Sequence, residues 1–353
     1  MKKLFALLLV LIMVLMTFTG CGSKDKTDTN SNNNSDNTAG ADTTPTAAAD
    51  NNANTETDKP YKIGIIQPMD HPSLNQIHET IETELKNQGY GDKIEIVYKN
   101  ANGDNTLLPS IIQSMIDDNV DLLVPIATGT AQATMAATTT VPIVFSAVSN
   151  PVAAGLVTAL DQTTGNITGV SNSIPIEDIF ALATQLTPNV KTFGFVYNSS
   201  EVNSASGIER AKEYCDNNGI AYKEAIITGT ADLQQAASSL IGDIDAFFTP
   251  NDNTVASAMP TYLQVANDAN IPIYVGADSM VKDGGLATVG IDYTVLGRQT
   301  AQMIIRIMNG EKIADNPVEQ IAEYAKMINM KSANQLGITI PDELKDKFVV
   351  LAE

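Results

Sequence analysis

The sequence predicts an α/β protein with two similar lobes, each built around a parallel sheet, and a ligand cleft between the lobes. Short apolar runs alternate with amphipathic helical patterns along the chain, which is typical of parallel βαβ units. The same order of strands and helices occurs twice, and short motifs recur with it: Val141-Pro-Ile-Val-Phe in the first half is similar to Ile271-Pro-Ile-Tyr-Val in the second. Each copy is a domain-sized unit rather than a short repeat.

The first half contains four predicted strands and three predicted helices. The strands are expected at 62–67, 94–97, 121–126 and 142–146, and the helices at 74–85, 108–116 and 131–137. The first helix has one apolar face, as packing on a sheet requires, formed by Leu74, Ile77, Ile81 and Leu85. Gly89 follows in the position where a glycine commonly ends a helix.

The second half repeats this order. Its strands are expected at 192–197, 222–227, 246–249 and 272–276, and its helices at 206–217, 232–240 and 255–268. Together the two halves make a folded region of about 295 residues, which is long enough for two lobes with substantial cores.

The N-terminus has the layout of a secretory signal peptide. Lys2 and Lys3 precede an apolar run at 4–16, which is shorter than the roughly 20 residues that a membrane-spanning helix needs. We assign 1–20 to the signal peptide. Residues 21–59 form a predicted solvated linker, because 22–57 contain no aromatic or branched aliphatic residue that could build a core.

Charge and cysteine content narrow the possible partners. The net charge of −20 argues against nucleic acid and against binding to anionic membrane surfaces. Of the two cysteines, Cys21 directly follows the signal region, and Cys215 lies on the apolar face of a predicted helix, as expected of a buried structural thiol.

Three pairs of polar loops are expected at the carboxyl ends of the strands, where parallel sheets bind ligands. The pairs are 67–75 with 198–204, 127–130 with 250–254, and 146–150 with 277–279. Small polar residues and helix N-termini suit recognition of a carboxylate, an amide or a hydroxyl. The same residue types are also ordinary helix caps and turn formers, so each single residue has both interpretations.

The sequence offers little for catalysis. It has no Gly-x-Ser-x-Gly elbow, no P-loop and no dinucleotide-binding glycine motif. Its two histidines, His71 and His78, do not have a zinc-ligand spacing, and Pro72 lies between them. We therefore expect a binding protein without enzyme activity, metal or cofactor, with a lipid-anchored hydrolase as the enzymatic alternative.

Six segments in the cleft loops and around Asp292 carry a family resemblance. They are His71-Pro-Ser-Leu74, Ala127-Thr-Gly-Thr-Ala-Gln132, Pro142-Ile-Val-Phe-Ser-Ala-Val-Ser-Asn-Pro151, Tyr197-Asn-Ser-Ser-Glu-Val-Asn-Ser204, Pro250-Asn-Asp-Asn-Thr-Val255 and Asp292-Tyr-Thr-Val-Leu-Gly-Arg-Gln299. With them the chain resembles the substrate-binding lipoproteins of ABC transporters. More narrowly, it resembles the type I periplasmic binding proteins that include tryptophan and tyrosine transport components.

The resemblance implies an architecture and a motion. Two Rossmann-like lobes are joined by three crossovers, which form a hinge that closes over the ligand. We expect lobe 1 to comprise 60–170 plus 280–312, and lobe 2 to comprise 171–279 plus 313–353. The crossovers are expected near 169–173, 276–283 and 310–317, where small residues and prolines collect.

The resemblance also implies roles for the cleft residues. Residues 128–130 and 146–149 would receive a ligand carboxylate, Asp278 and Asp252 are candidates for its ammonium, and Tyr197 and Tyr293 are candidates for an aromatic ring. The predicted ligand-binding residues are Gln67, His71, Thr128, Gly129, Thr130, Ser146, Ser149, Asn150, Asn198, Glu201, Asn203, Asp252, Asn253 and Asp278.

The implied function is capture of a small amino-acid-like solute for an ABC importer, with tryptophan, tyrosine and phenylalanine as candidate ligands. The expected partners are the permease and ATPase subunits. The protein would be exported and held on the outer face of the membrane by a lipid on Cys21. A ligand-sensing lobe for a receptor kinase is the alternative, because the same closed lobes could dock either partner.

Overall fold

The computed structural model describes residues 59–163 and 165–352 of the 353-residue chain. The predicted signal peptide, Cys21 and nearly all of the predicted linker lie outside the described residues. Within the described part, none of the helices combines the length and the apolar character needed to cross a membrane.

The first lobe is built on a six-stranded parallel sheet with the order β11-β5-β4-β3-β1-β2. Its strands are β1 (Tyr61–Gln67), β2 (Ile94–Asn100), β3 (Leu122–Pro125), β4 (Ile143–Val148), β5 (Ile167–Ser171) and β11 (Glu319–Gln320). Its helices are α1 (Pro72–Asn87), α2 (Leu108–Asp117), α3 (Thr128–Ala137) and α10 (Tyr293–Met308).

The second lobe is built on a seven-stranded sheet with the order β13-β12-β10-β9-β8-β6-β7, in which only β10 and β12 pair in antiparallel fashion. Its strands are β6 (Thr192–Asn198), β7 (Ala221–Ile227), β8 (Ala246–Thr249), β9 (Ile273–Val275), β10 (Ala287–Ile291), β12 (Tyr324–Asn329) and β13 (Val349–Leu351). Its helices are α4 (Ile176–Leu186), α5 (Val202–Asn218), α6 (Leu233–Ser239), α7 (Asn253–Ser257), α8 (Met259–Asp268), α9 (Asp278–Lys282), α11 (Met330–Gln335) and α12 (Asp342–Lys345).

This architecture confirms the predicted two-lobe α/β fold. The central strands β3, β4 and β8 are buried along their whole length, as strands covered by helices on both faces must be. The predicted helix at 255–268 is instead two helices, α7 and α8. The chain leaves helical geometry at Ala258, and Pro260 lies in the first turn of α8, where a missing N–H costs nothing.

The chain crosses between the sheets three times: after β5, after β10 and after β11. The first crossover lies where it was predicted. The other two predicted positions, 276–283 and 310–317, are wrong, as is the assignment of all of 280–312 to lobe 1. Strand β10 pairs with β9 and β12 of the second sheet, and β11 returns to pair with β5 of the first.

Glycines explain one of these errors. A Cβ on Gly290 would collide with the carbonyl oxygen of Gly276, so this glycine allows two strands of lobe 2 to pack closely. Gly276 therefore takes part in close packing of strands inside lobe 2 and is not part of a hinge.

Candidate functional site

Hydrogen bonds join the two lobes at the carboxyl ends of their strands. The hydroxyls of Ser73 and Ser279 are 2.6 Å apart, and His71 Nε2 lies 3.2 Å from Asn253 Oδ1. Near the first crossover, Asn251 Nδ2 donates to Ser149 Oγ at 2.7 Å. The lobes are therefore closed on each other over the predicted cleft.

The N-terminus of α3 faces this region without a side-chain cap. Ala127, the residue before the helix, has φ 75° and ψ 157°, a conformation that is nearly restricted to glycine. Its methyl group cannot accept a hydrogen bond from the first-turn N–H groups of 128–130. These N–H groups and the positive end of the helix dipole favour an anion.

The side chains of that first turn have the same character. The hydroxyl oxygens of Thr128 and Thr130 are buried and have no hydrogen-bond partner. A hydroxyl can donate, so the start of α3 combines backbone and side-chain donors at one place. Such a set can hold a carboxylate with neutral hydrogen-bond donors.

The end of β1 and the loop that follows it carry two more buried atoms without partners, Gln67 Oε1 and His71 Nδ1. Gln67 Nε2 donates to the Met69 carbonyl at 2.7 Å and to Asn75 Oδ1 at 2.6 Å, so its amide is held in place. Burial lowers the pKa of His71 to about 4, so its ring is neutral at physiological pH.

In the described part of the chain, five buried side-chain nitrogen or oxygen atoms have no hydrogen-bond partner. Four belong to Gln67, His71, Thr128 and Thr130, and the fifth is the Tyr262 hydroxyl in the lobe 2 core. Buried polar groups are almost always hydrogen-bonded, so each exception needs an explanation. Four exceptions near the carboxyl ends of two adjacent strands, β1 and β3, indicate a ligand site.

In lobe 2, the N-terminus of α7 is occupied by the protein's own carboxylates. Glu201 accepts hydrogen bonds from the backbone N–H groups of Asn253 and Thr254 at 3.1 and 2.9 Å. Asp252 accepts from Asn198 N–H, Ser204 Oγ and Val255 N–H. Burial and the neighbouring Glu201 carboxylate raise the pKa of Asp252 to about 7.

Asn198 and Asn203 belong to the same lobe 2 network. Asn198 Nδ2 donates to the Thr254 hydroxyl at 2.9 Å, and Asn203 Nδ2 donates to Glu201 Oε2 and to the Asn251 carbonyl. Both side chains therefore stabilise the loops of lobe 2 that face α3.

Three other predicted residues make contacts of a structural kind. Ser146 Oγ is 2.9 Å from Thr300 Oγ1 on α10, which fixes it inside lobe 1. Ser149 Oγ donates to Asn172 at the first crossover. Asn150 Oδ1 accepts from the Ala153 N–H within a turn. The side-chain polar atoms of all three residues are thus engaged by the protein itself, and Ser149 and Asn150 also contact Asn251 and Ser206 of lobe 2.

Asp278, the predicted ammonium partner, already has a cation. Its Oδ2 lies 2.5 Å from Lys282 Nζ, and its Oδ1 accepts from the Ser279 N–H at 2.7 Å. Of the two candidate aromatic residues, Tyr197 donates its hydroxyl to Glu224 at 2.8 Å, and Tyr293 is buried at the second crossover.

Among the residues that the structure describes, three cavities are lined by both lobes, and two of these three share several lining residues. One of about 160 Å³ is lined by residues that include Gly129, Thr130, Glu201 and Asn253. A neighbouring one of about 520 Å³ opens beside it and shares Met69, Asn105, Asn198, Ser200 and Thr254 with the first. Thr130, one of the two threonines with an unpartnered hydroxyl, therefore borders a cavity between the lobes.

Sequence reasoning missed four residues that connect the lobes or complete the site: Ser73, Asn251, Thr254 and Ser279. All four lie within the predicted loop pairs, so the loops were the only available signal. Within the described residues, no group of three or more His, Cys, Asp or Glu side chains could hold a metal ion.

A family model described as "ABC transporter substrate binding protein" matches residues 62–348. The chain belongs to this family, which is a family of solute-binding proteins and not of enzymes. It is also 36% identical over 293 residues to a tyrosine-binding protein from Clostridioides difficile, with 82% of this chain and 85% of the relative covered.

Two solved structures have nearly the same sequence identity to this chain but differ in their structural similarity to it. A domain in complex with L-Trp from Streptococcus pneumoniae has 36% identity and a TM-score of 0.80, with 83% of this chain and 99% of that chain covered. A ligand-free, open structure of a substrate-binding protein with adhesive properties from Clostridium difficile has 35% identity and a TM-score of 0.65, with 82% and 99% covered. The better match to the L-Trp complex agrees with the closed lobes seen here.

Proposed function

We propose that this protein captures an amino acid with an aromatic side chain between its lobes and delivers it to an ABC permease. The observation that carries the proposal is the uncapped start of α3 with the unpartnered hydroxyls of Thr128 and Thr130. A carboxylate would accept from these donors and complete the hydrogen bonding of the buried hydroxyls.

The relatives support the choice of ligand. The C. difficile relative is a tyrosine-binding protein, and the S. pneumoniae structure holds L-Trp, each at 36% identity over most of the chain. Closure of the lobes would remove the amino acid from water, which strengthens its polar contacts with the site.

The N-terminal sequence supports an exported, lipid-anchored protein. The charged and apolar segments before Gly20-Cys21 have the order of a signal peptide that ends at a modifiable cysteine. We propose that Cys21 carries the lipid and that 22–57 tether the lobes to the membrane near the permease. Replacing Cys21 with serine should release the protein or leave its precursor unprocessed; a lipid-modified, membrane-bound serine variant would refute the anchor.

Binding measurements test the proposal directly. Isothermal titration of L-tyrosine, L-tryptophan and L-phenylalanine should show saturable binding to at least one of them. The Thr130→Val variant should bind it about 10-fold more weakly or worse, because a hydrogen bond to a charged group is lost. Ser146→Ala is the matched control, since that hydroxyl is engaged inside lobe 1. Absence of binding to all three amino acids would refute the aromatic ligand.

A further inference from the structure

We infer that the ligand's ammonium group is read by two neutral acceptors in lobe 1, His71 Nδ1 and Gln67 Oε1, and not by a carboxylate. This inference rests on the proposed amino-acid function and adds to it the residues that recognise the amine. It differs from the expectation that Asp278 or Asp252 would serve as the anchor.

The hydrogen-bond network fixes which ring nitrogen of His71 carries the proton. Asn253 Nδ2 donates to Glu201 Oε2 at 2.7 Å, so the amide nitrogen of Asn253 points toward Glu201 and its Oδ1 toward His71. That oxygen can only accept, so His71 Nε2 must donate to it. In the neutral ring, Nδ1 is then a lone-pair acceptor, and it is buried without a partner.

Gln67 is fixed in the same way. Its Nε2 lies between two acceptors, the Met69 carbonyl and Asn75 Oδ1, and this orientation leaves Oε1 as the free end of the amide. Oε1 is buried and has no partner. The unpartnered atoms of Gln67 and His71 are therefore both acceptors, whereas the start of α3 offers donors.

Acceptors and donors lie at neighbouring strand ends. Ile66 pairs with Pro125 across β1 and β3, and Ile126 N–H donates to the Ile66 carbonyl at 2.8 Å. This register brings the loop after β1 next to the start of α3. An α-amino acid carries the complementary groups two bonds apart on its Cα: a carboxylate that accepts and an ammonium that donates.

In lobe 2, the cleft carboxylates Glu201, Asp252 and Asp278 are already engaged by donors of the protein itself. Glu201 accepts from the N–H groups and side chains of Asn253 and Thr254 and from Asn203, Asp252 accepts three donors, and Asp278 is paired with Lys282. The charged groups that act on His71 are Asp70 on its own loop and Glu201 of lobe 2, which reaches it through Asn253. Their negative charge favours a cation beside the ring without direct contact.

The chain has only two histidines, which makes the ring state directly measurable. In protein with ¹⁵N-labelled histidine, NMR should show His71 as the Nε2–H tautomer before ligand is added. L-tyrosine should shift its Nδ1 resonance, and 3-(4-hydroxyphenyl)propanoate, which lacks the amine, should not. A protonated Nδ1, or an Nδ1 resonance that L-tyrosine leaves unchanged, would overturn the inference.

Two substitutions separate the two ring nitrogens. His71→Gln can keep the donor to Asn253 but loses the acceptor at the Nδ1 position, whereas His71→Asn keeps an acceptor near Nδ1 and loses the donor. The preference for L-tyrosine over its deamino analogue should fall about 10- to 100-fold in His71→Gln and less in His71→Asn. His78→Gln is the control, because His78 pairs with Glu82 and stacks on Tyr98 outside the site.

The outcomes distinguish this inference from the proposed function. If wild-type protein binds none of L-tyrosine, L-tryptophan and L-phenylalanine, the proposed function fails and the inference fails with it. If it binds one of them and His71→Gln keeps the full preference for the amine while melting like the wild type, only the inference fails. A reduced preference in an unfolded variant does not count as support, and the NMR result then decides.

Discussion

The N-termini of α3 and α7 occupy the same place in the two halves of the repeat, each after the third strand of its lobe. At α7 the protein supplies its own anions, with Asp252 as the N-cap and Glu201 on the N–H groups of the first turn. At α3 the first turn has no side-chain cap, and two threonine hydroxyls beside it lack partners. A nearly symmetric pair of lobes thus has one helix end completed internally and one left for an external anion.

The backbone shows the same contrast. Asp252 caps α7 in ordinary extended geometry, with φ −94° and ψ 121°. Ala127 precedes α3 in a left-handed, nearly glycine-only region, which costs about 1–3 kcal/mol. Such strain persists where the surrounding structure imposes it, and it is commonly found at functional sites.

The largest effect should come from giving α3 a carboxylate of its own. A Cβ at Gly129 would meet no atom within 4 Å, so we expect Gly129→Asp to fold normally. Its charge would occupy the first turn and repel a ligand carboxylate, which should lower amino-acid affinity about 100-fold or more. Titration calorimetry measures this, with Gly129→Asn as the neutral control. Equal losses in both variants would show that charge is not the cause.

The converse change removes a carboxylate from α7. Glu201→Gln replaces acceptor oxygens that face backbone N–H groups by an amide that has only one acceptor. We expect the free energy of unfolding to fall by about 1.5–3 kcal/mol, as measured by denaturant unfolding. Glu209→Gln, on the exposed face of α5, is the control. A Glu201 variant as stable as the wild type would mean that α7 does not depend on its internal anion.

Lowering the pH should reduce the contribution of His71 to the free energy of unfolding. Its pKa falls from 6.5 to about 4 on folding. Between these two pH values the ring is protonated in the unfolded chain but neutral in the folded protein, which favours unfolding as the pH falls. The contribution of His71 to stability is therefore fully present above pH 6.5 and decreases toward pH 4. Because Asp252, whose pKa is raised, has the opposite effect, the measurement is the difference in unfolding free energy between wild type and His71→Gln. A difference that does not vary with pH would contradict the buried neutral ring.

The smallest effect should come from relieving the strain before α3. Ala127→Gly adopts φ 75° without a Cβ penalty, and we expect a gain of about 1 kcal/mol after the entropic cost of glycine. Ala136→Gly, in the same helix with ordinary geometry, should lose about 1 kcal/mol. Melting temperatures of the two variants should move in opposite directions; a parallel decrease would show that Ala127 is not strained.

The sequence predicted most of the fold because apolar runs and helix periodicity report burial directly. It also predicted a ligand contact for Thr128 and Thr130, because polar residues at the end of a buried strand are expected to face a cleft; that contact stays a prediction. It could not show that Glu201 caps α7, because the capped residues lie about fifty positions away in the chain. It predicted Asp278 as the ammonium partner because it could not show that Lys282 pairs with this carboxylate. That pairing depends on the short helix α9, which the strand pattern does not predict.

The crossovers also affect the order in which the molecule can assemble. Helix α10 packs on α1, with Gly297 close against Thr80, and β11 completes the first sheet beside β5. Lobe 1 therefore depends on a segment made after strands β6 to β10 of lobe 2. During synthesis or export from the N-terminus, one edge of the lobe 1 sheet and one face of α1 would stay uncovered until residues 293–320 are added. A chain truncated before these residues would leave both lobes incomplete.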